Sequence, residues 1–561
     1  MRRFLPLLMA YAAVAMALTW PVALDLGHRV PGAERTDLWL HMWILDFVAD
    51  SIAQGQMPFV TQMLAHPVGG TVLVDDPLGA VLIAPFTLLF GVETSTTLLA
   101  WFQIAFAGVM AHGFAREWLN WRMGREPEQR VGAACVAGLA YCCAPIFISA
   151  VHNGQAGMGG GWAAWAAWMS WRAAAHGGHR RVEMAVASLA VACLSGWAGA
   201  ATAFFFAAAL ALLGAGEGIR VHLRSRVLVL VLGLTVAIPM GMAMQDTARE
   251  EHSLAQPLTA QDAAMQRRSD GAADPVGYLM PGPYRSPNLY ERSDFGDRRV
   301  HIHYLGWTLI GLSVLALRRR RRGMGFLWLG GSVGLLLSLG PVLVRHGEPV
   351  ILAGRKAIPL PYLLVEGLPG LDSMSMLYTL AQGPALALAL LASAAVAGGA
   401  IRWLGVALVL LFMEGRWASP AAGLPGSTAL SVDPAVQALA DAPQGAVVNF
   451  PVIAGRPYLY EQLHHGKPFT GDLLDPRGAS AEQLWEEILA HADRDPTWLR
   501  TKTTASAQRL GIRYVLIHID PDAQPDMHDI AIRALERAYL PMTLPTDDAA
   551  QARKVRVIKL W

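Results

Sequence analysis

Apolar stretches of about fifteen to twenty residues recur through the first three quarters of this chain, and they constrain its fold more than any other feature. A helix that crosses a bilayer needs about 20 mostly apolar residues. The 561 residues are 54% hydrophobic and only 16% charged, with a mean hydropathy of +0.35. These values exceed the usage of ordinary soluble domains. The sequence therefore predicts a polytopic α-helical membrane protein.

About eleven transmembrane helices are predicted, with loose boundaries. Their ranges are 4–24, 95–117, 131–151, 159–175, 183–197, 202–217, 227–244, 304–318, 324–344, 376–396 and 401–415. The first range follows Arg2 and Arg3, as in a signal peptide, but its apolar core is long enough to span. We interpret it as an uncleaved first helix.

Arginines in the connections between spans fix the predicted orientation, because cytoplasmic loops are enriched in arginine and lysine. They are Arg2, Arg3, Arg122, Arg125, Arg130, Arg180, Arg181, Arg220, Arg224, Arg226, Arg318 to Arg322 and Arg402. All of them fall on one side only if the apolar segment 78–91, which contains Pro85, does not cross. Its length of about fourteen residues favours an interfacial or re-entrant helix. The N-terminus is then cytoplasmic.

The predicted transmembrane domain covers residues 1–415, with external loops at 25–94, 245–303 and 345–375. Residues 416–561 differ in character, because charge rises and long apolar runs stop. Predicted strands at 446–450 and 514–519 alternate there with predicted helices at 435–441 and 532–539. This pattern predicts a C-terminal α/β soluble domain on the extracytoplasmic side.

Composition excludes two classes of protein. A formal net charge of +2 is too small to indicate a nucleic-acid partner. The four cysteines, Cys135, Cys142, Cys143 and Cys193, all lie in apolar segments. They therefore support neither a disulfide framework nor a zinc site.

The first external loop carries the strongest candidate for chemistry. Asp37 stands where a helix is predicted to begin, and His41 follows one turn later on the same face. Asp46 and Asp50 fall on the opposite face. Asp37 and His41 could therefore act on one substrate. The alternative is that Thr36 or Asp37 only caps an interfacial helix whose Trp39 and Trp43 lie at the headgroup level.

Two other external turns carry polar candidates. His66 precedes Pro67-Val68-Gly69-Gly70, and the adjacent carboxylates of Asp75 and Asp76 precede Pro77. Two carboxylates could bind a divalent cation, although they are far fewer than its full set of ligands, and a solvated turn is the alternative. The turn His152-Asn153-Gly154-Gln155 could bind a sugar by hydrogen bonds or could simply end two helices.

The order of these features resembles the GT-C class of polytopic glycosyltransferases, in particular bacterial members with a C-terminal soluble domain. Each motif is short, so their order and spacing over nearly the whole chain carry the resemblance. The matching segments are Asp37 with Trp39 and Trp43, 65–70, Pro85 with Phe90-Gly91, 152–155, the tryptophan-rich 162–171, 304–307, 358–362, 368–371, 449–451, 460–462, 464–468 and 511–515.

The resemblance implies transfer of a sugar from a polyprenyl-phosphate-linked donor to a glycan, lipid or protein acceptor on the outer face of a bacterial inner membrane. It implies that the acidic residue of the first external loop, here Asp37, is the general base. The expected substrate-binding residues are His41, His66, Asp75, Asp76, His152, Gln155, Arg298 and Arg299. No cofactor is expected with certainty, and no residue is assigned to a metal.

One departure from the family pattern keeps a second function open. Related sequences carry arginines just after the Leu-Pro-Gly-Leu element, whereas residues 372–378 contain no cation to hold the leaving phosphate. Arg298 and Arg299 are external alternatives, with membrane anchoring as their other interpretation. The second function is a non-catalytic transporter or envelope-glycan assembly factor that keeps the fold.

Few polar groups lie within the predicted spans, chiefly Gln103, His112 and Arg172, which favours a loop-based enzyme over a transporter. In the tail, Tyr458, Tyr460, His464 and His465 could bind an acceptor glycan, although packing is the usual role of such residues.

Overall fold

A computed structural model of the chain gives its fold. It describes residues 4–34, 36–72, 74–123, 127–155, 159–216, 222–254, 271–281, 302–317, 323–345, 348–352, 356–368, 371, 374, 376–397, 403–417, 426–450, 456–471, 473, 478–518, 527–539 and 555–561.

Helices dominate the first 417 residues, and a helix occupies part of every predicted span. The helices are α1 (Phe4–Leu18), α2 (Leu38–Ala53), α3 (Pro77–Met123), α4 (Pro127–Cys142), α5 (Pro145–His152), α6 (Gly160–His176), α7 (His179–Leu194), α8 (Trp197–Leu213), α9 (Leu223–Leu254), α10 (Trp307–Leu317), α11 (Gly325–Ser338), α12 (Gln382–Ala395) and α13 (Leu404–Trp417).

Four apolar segments of the described chain are long enough to cross a membrane: Pro77–Arg122, Val131–His152, Leu223–Ala243 and Leu377–Ala395. Shorter apolar helices coincide with α1, α8, α10 and α11. These helices indicate a membrane protein. The number of about eleven crossings, and their orientation, stay predictions.

Gly91 divides α3 into two helices, because its φ of 82° and ψ of 161° are not helical. The first part, 77–90, is the segment expected not to cross. Its apolar side chains, among them Val81, Leu89 and Phe90, are exposed. An exposed apolar face suits lipid better than water. Its placement as an interfacial or re-entrant helix stays a prediction.

Some polar side chains of the helical bundle are paired with one another. Arg172 of α6 lies 3.1 Å from Glu117 of α3, and His112 Nδ1 lies 3.3 Å from the hydroxyl of Tyr11. Pairing of this kind offsets the cost of removing polar groups from water. The bundle thus satisfies these groups internally.

The tail contains a three-stranded sheet with helices around it. Strand β10 (Ile512–His518) lies in the middle, parallel to β9 (Ala446–Phe450) and antiparallel to β11 (Val555–Lys559). The helices are α14 (Pro434–Ala440), α15 (Pro457–His465), α16 (Gly478–Ala490), α17 (Pro496–Leu510) and α18 (Met527–Ala538). All four elements predicted here are confirmed as elements. The domain boundary near residue 416 stays a prediction.

Short strands complete the described chain. They are β1 (Arg29–Pro31), β2 (Val60–Thr61), β3 (Gly70–Thr71), β4 (Val344–Arg345), β5 (Glu348–Pro349), β6 (Ile351–Leu352), β7 (Lys356–Ala357) and β8 (Ser427–Ala429). Strand β1 of the first loop pairs antiparallel with β8 of the tail. The first loop and the tail also share one hydrophobic core, to which α2, α15 and β10 contribute. The tail therefore packs against the first loop.

The turn after α5 packs against the start of α2. The amide of Ala33 donates a 2.8 Å hydrogen bond to the carbonyl of His152. Gly154, with a φ of +81°, lies so close to α2 that an added Cβ would be 2.3 Å from the Cα of Leu38. Only glycine fits both the backbone conformation and the contact.

Asp76 caps the beginning of α3. Its Oδ1 accepts a 2.8 Å hydrogen bond from the amide of Gly79, and its Oδ2 accepts a 3.0 Å hydrogen bond from Gln103 Nε2. Burial raises the pKa of Asp76 to about 7, although these hydrogen bonds act in the opposite direction. The half-buried carboxyl group is therefore costly to ionise.

Replacing Gly154 by alanine should lower the melting temperature of the detergent-solubilised protein by more than the same change at Gly55. Both glycines have positive φ, so alanine costs about 1–2 kcal/mol at either position. Only Gly154 adds overpacking, which costs about 1–3 kcal/mol more, because nothing lies within 4 Å of a Cβ at Gly55. Equal melting temperatures of the Gly154→Ala and Gly55→Ala variants would show that the turn does not pack on α2.

Asp76→Asn should stabilise the protein more at pH 8 than at pH 5. The pKa of this carboxyl is about 7 in the folded state and about 3.9 in an unfolded chain. A raised folded-state pKa favours folding at low pH, and this contribution is lost as pH rises through about 7. Melting temperatures across this range measure the difference, with the exposed Asp493→Asn as the control. A difference in melting temperature between Asp76→Asn and wild type that does not change with pH would contradict the raised pKa of Asp76.

Candidate active site

Asp37 lies at the N-terminus of α2, in the external loop predicted from the sequence. Only 5% of the residue is exposed. It occupies the N-cap position, but its side chain makes no capping hydrogen bond. The hydroxyl of Thr36 donates instead to the carbonyl of Ala33. The alternative that this side chain only caps the helix is therefore wrong, because the carboxylate faces another partner.

That partner is Arg456, from the tail. Arg456 Nη1 lies 3.2 Å from Asp37 Oδ1, and Arg456 is 4% exposed. The residue has a φ of 59° and precedes Pro457, the first residue of α15. Sequence reasoning missed Arg456, because a separation of 419 residues leaves no local pattern to connect the two side chains.

Helix α15 is held on α2 by contacts that fix the position of Arg456. Trp43 Nε1 donates a 2.6 Å hydrogen bond to Gln462 Oε1. The rings of Trp39 and Tyr460 stack with their centroids 4.9 Å apart. Gln462 Nε2 also donates to the carbonyl of Met63, in the first loop. Hydrogen bonds and aromatic packing thus join the two helices over most of the length of α15.

Three buried polar atoms close to the beginning of α2 have no hydrogen-bond partner among the described residues: Trp39 Nε1, His41 Nε2 and Gln155 Oε1. Trp39 and His41 belong to the first turn of α2, and Gln155 follows the glycine that packs on Leu38. Unpaired buried polar atoms are uncommon, because each costs desolvation energy. They offer two ring nitrogens and one amide oxygen to a ligand.

His152 has a structural partner in the tail. Its Nδ1 accepts a 3.0 Å hydrogen bond from the amide of Gly426, just before β8. The structure thus brings Asp37, His41 and the 152–155 turn together at the start of α2. Of the two alternatives for that turn, the contacts of His152 fit the structural one, whereas Gln155 remains available to a ligand.

His66 and Asp76 contact other parts of the chain. His66 lies against Gly511, at the turn between α17 and β10, and burial lowers its pKa. Asp76 is engaged with Gly79 and Gln103, and its neighbour Asp75 is exposed. Within the described residues, no three or more His, Cys, Asp or Glu side chains are placed to hold a metal ion.

Arg298 and Arg299 lie outside the described residues. The proposed glycan-binding residues of the tail are mostly buried: Tyr458, Tyr460 and His465 are each less than a tenth exposed. The hydroxyl of Tyr460 donates a 3.2 Å hydrogen bond to Glu93 of α3. Packing between the tail and the first loop accounts for their positions.

A second buried polar cluster lies on α15 and the carboxyl ends of β9 and β10. His518 Nε2 lies 3.2 Å from Asn449 Oδ1 and 3.5 Å from Glu461 Oε2. Burial, together with the charge of Asp433, raises the pKa of Glu461 to about 8, and burial lowers the pKa of His518 to about 4. Near neutral pH, an uncharged pair is therefore favoured at this edge of the sheet.

Comparison with known proteins finds similarity in structure only. No family model and no curated protein matches the sequence. The arabinofuranosyltransferase AftD from Mycobacteria matches with a TM-score of 0.50 and 14% identity, over 99% of this chain. This chain spans 40% of the length of AftD.

The oligosaccharyltransferase of Archaeoglobus fulgidus is more distant in structure. In its complex with Zn and sulfate, it matches with a TM-score of 0.48 and 13% identity, over 91% of this chain and 68% of its own. The complex of this enzyme, AglB, with an inhibitory peptide and a dolichol-phosphate has a TM-score of 0.46 and 12% identity, over 92% and 69% of the two chains. The expected resemblance is confirmed at the level of fold: this membrane protein has a GT-C-like fold.

Proposed function

We propose that this chain is a membrane glycosyltransferase that transfers a sugar from a polyprenyl-phosphate-linked donor to an acceptor on the outer face of the membrane. The observation that carries the proposal is the buried carboxylate of Asp37 at the start of an external helix, beside polar atoms that lack partners. The GT-C-like fold, shared with an arabinofuranosyltransferase, supports the same reaction class.

In the proposed reaction, Asp37 is the general base. It accepts the proton of an acceptor hydroxyl while that oxygen forms a bond to the anomeric carbon of the donor sugar. The bond between that carbon and the phosphate oxygen breaks, and the lipid phosphate leaves with the electron pair. Attack from the opposite side inverts the anomeric centre. His41, Trp39 and Gln155 are placed to bind sugar hydroxyls through the unpaired atoms described above.

The departing phosphate requires positive charge. Arg298 and Arg299, on the 245–303 loop, remain the proposed ligands for it. Asp75 and Asp76 remain the proposed carboxylates should the enzyme use a divalent cation. His66 and His152 complete the proposed substrate-binding residues, although each also has a structural contact.

The proposed reaction also assigns the sides of the membrane. The first loop, residues 25–94, and the tail, residues 416–561, would lie together on the extracytoplasmic side, and the N-terminus in the cytoplasm. The pairing of β1 with β8 supports a common side for both segments. The proposed location is a bacterial inner membrane, which the chain would cross several times.

A specific observation favours the second candidate, a non-catalytic protein with this fold. A buried ion pair between Asp37 and Arg456 joins the tail to the first loop. In this role the carboxylate would be purely structural. An acceptor can reach a base that is 5% exposed only after the surrounding contacts open. The two candidates differ in whether removal of the carboxylate abolishes transfer or only loosens the tail.

Sugar transfer by the purified protein in liposomes, from a panel of polyprenyl-phosphate sugars, tests the proposal. We expect Asp37→Asn to lower the rate by about 100-fold or more, because general-base catalysis contributes about 10²–10⁴-fold. Asp50→Asn is the matched control, since Asp50 lies exposed on the opposite face of the same helix. It should keep the wild-type rate.

The melting temperature of each variant is measured alongside its transfer rate. Loss of transfer is then interpreted only for variants that are folded. A folded Asp37→Asn protein with the wild-type rate would exclude Asp37 as the base and point to Asp75 or Asp76. Absence of transfer by the wild type over the whole panel would favour the non-catalytic protein.

A further inference from the structure

The ion pair between Asp37 and Arg456 is almost completely removed from water. Asp37 is 5% exposed and Arg456 is 4% exposed, and the two atoms in contact lie 3.2 Å apart. Burial favours the neutral form of a carboxyl group, whereas an adjacent cation favours the charged form. Arg456 therefore favours the ionised form of Asp37.

A general base must be ionised before it can accept a proton. Arginine is suited to maintain this state, because its guanidinium stays protonated throughout the working range of pH. Other titratable groups on the elements packed here include His41 on α2, His152 in the turn packed on α2, and Glu461 and His464 on α15. Glu461 contacts His518. Arg35 lies outside the described residues. Burial lowers the pKa of His464, so this ring adds little positive charge at neutral pH.

The backbone of Arg456 is fixed independently of the ion pair. The Trp43–Gln462 hydrogen bond and the Trp39–Tyr460 stack hold α15 on α2. Arg456 precedes that helix directly, in a left-handed conformation that directs the chain into its first turn. The guanidinium is thus delivered to Asp37 by a rigid element instead of a long loop.

We infer that Arg456 is a positioning residue for the proposed base: it keeps Asp37 ionised and oriented, and the tail thereby completes the active site. This inference rests on the proposed function. It assigns to the tail a role in the reaction itself, beyond its packing on the first loop. It also predicts that the charge of residue 456, more than the docking of α15, controls the dependence of transfer on pH.

The test measures kcat/KM against pH for wild type, Arg456→Gln, Arg456→Lys and Gln462→Leu. The acid limb is the part of the profile in which kcat/KM falls as the pH is lowered. In Arg456→Gln, this fall should begin at a pH about 1–3 units higher, because an adjacent cation lowers the pKa of a carboxyl group by about that amount. Arg456→Lys keeps the charge and should leave the acid limb close to that of the wild type. Gln462→Leu breaks the contact with Trp43 without changing charge. It should lower the melting temperature but leave the acid limb in place.

An acid limb of Arg456→Gln that coincides with that of the wild type would overturn the inference. So would an equal displacement in Gln462→Leu, since loosening of the tail would then explain the effect. Arg456→Gln removes one partner of a buried ion pair, which costs about 3–5 kcal/mol and is enough to prevent folding of a marginally stable protein. A second measurement therefore uses only proteins that retain Arg456.

Infrared spectroscopy of the wild type and Asp37→Asn, both labelled with ¹³C-aspartate, detects the protonated carboxyl band of Asp37 as the difference between them. We expect no such band at pH 6, because Arg456 holds the carboxylate ionised. A band at this pH would overturn the inference even if Arg456→Gln does not fold. Because this measurement needs no activity, it tests the ionisation of Asp37 separately from the proposed function. A wild type without transfer but with ionised Asp37 would refute the proposed function and leave only the effect of Arg456 on the charge of Asp37.

Discussion

A buried carboxylate requires a buried cation, and in this protein the two come from opposite ends of the chain. Asp37 and Arg456 are separated by 419 residues, yet both are almost fully buried. Removing either partner would break a buried ion pair, which costs about 3–5 kcal/mol. The tail therefore cannot move away from the first loop without exposing the pair to water. The remaining contacts of α15, and the pairing of β1 with β8, maintain this arrangement.

The membrane restricts where the proposed chemistry can take place. Within the bundle, polar groups such as Arg172 and Glu117 are occupied with each other, because lipid offers them no partners. Outside the bundle, water or a substrate can serve as a partner. Trp39, His41 and Gln155 carry polar atoms that lack a partner in the described chain, and all three lie at the start of α2. Buried polar atoms without a hydrogen-bond partner among the described residues also lie within the bundle, for example Trp118 Nε1 and Trp171 Nε1. The proposed site at the start of α2 therefore rests on its position outside the bundle, beside Asp37.

The sequence predicts features that depend on local physics. Apolar length located a helix in every predicted span, and short β-branched runs between helical patterns located the tail elements, such as β9 at Ala446–Phe450. The position of Asp37 at a helix start was also predictable. Its partner was not, because an ion pair between distant segments leaves no periodic signal. For the same reason, sequence patterns did not reveal that Asp76 pairs with Gln103 or that His152 binds the amide of Gly426.

In the proposed enzyme, one ion pair would serve two purposes that oppose each other. A stronger contact stabilises the join between loop and tail, but it also makes the carboxylate a weaker base, at about 1.4 kcal/mol for each unit of pKa. The distance of 3.2 Å between Arg456 Nη1 and Asp37 Oδ1 is that of an ion pair, which both a base and a structural anchor require. The two uses differ in what must happen when the pair opens. A base must release its carboxylate to an acceptor hydroxyl, whereas an anchor must keep it.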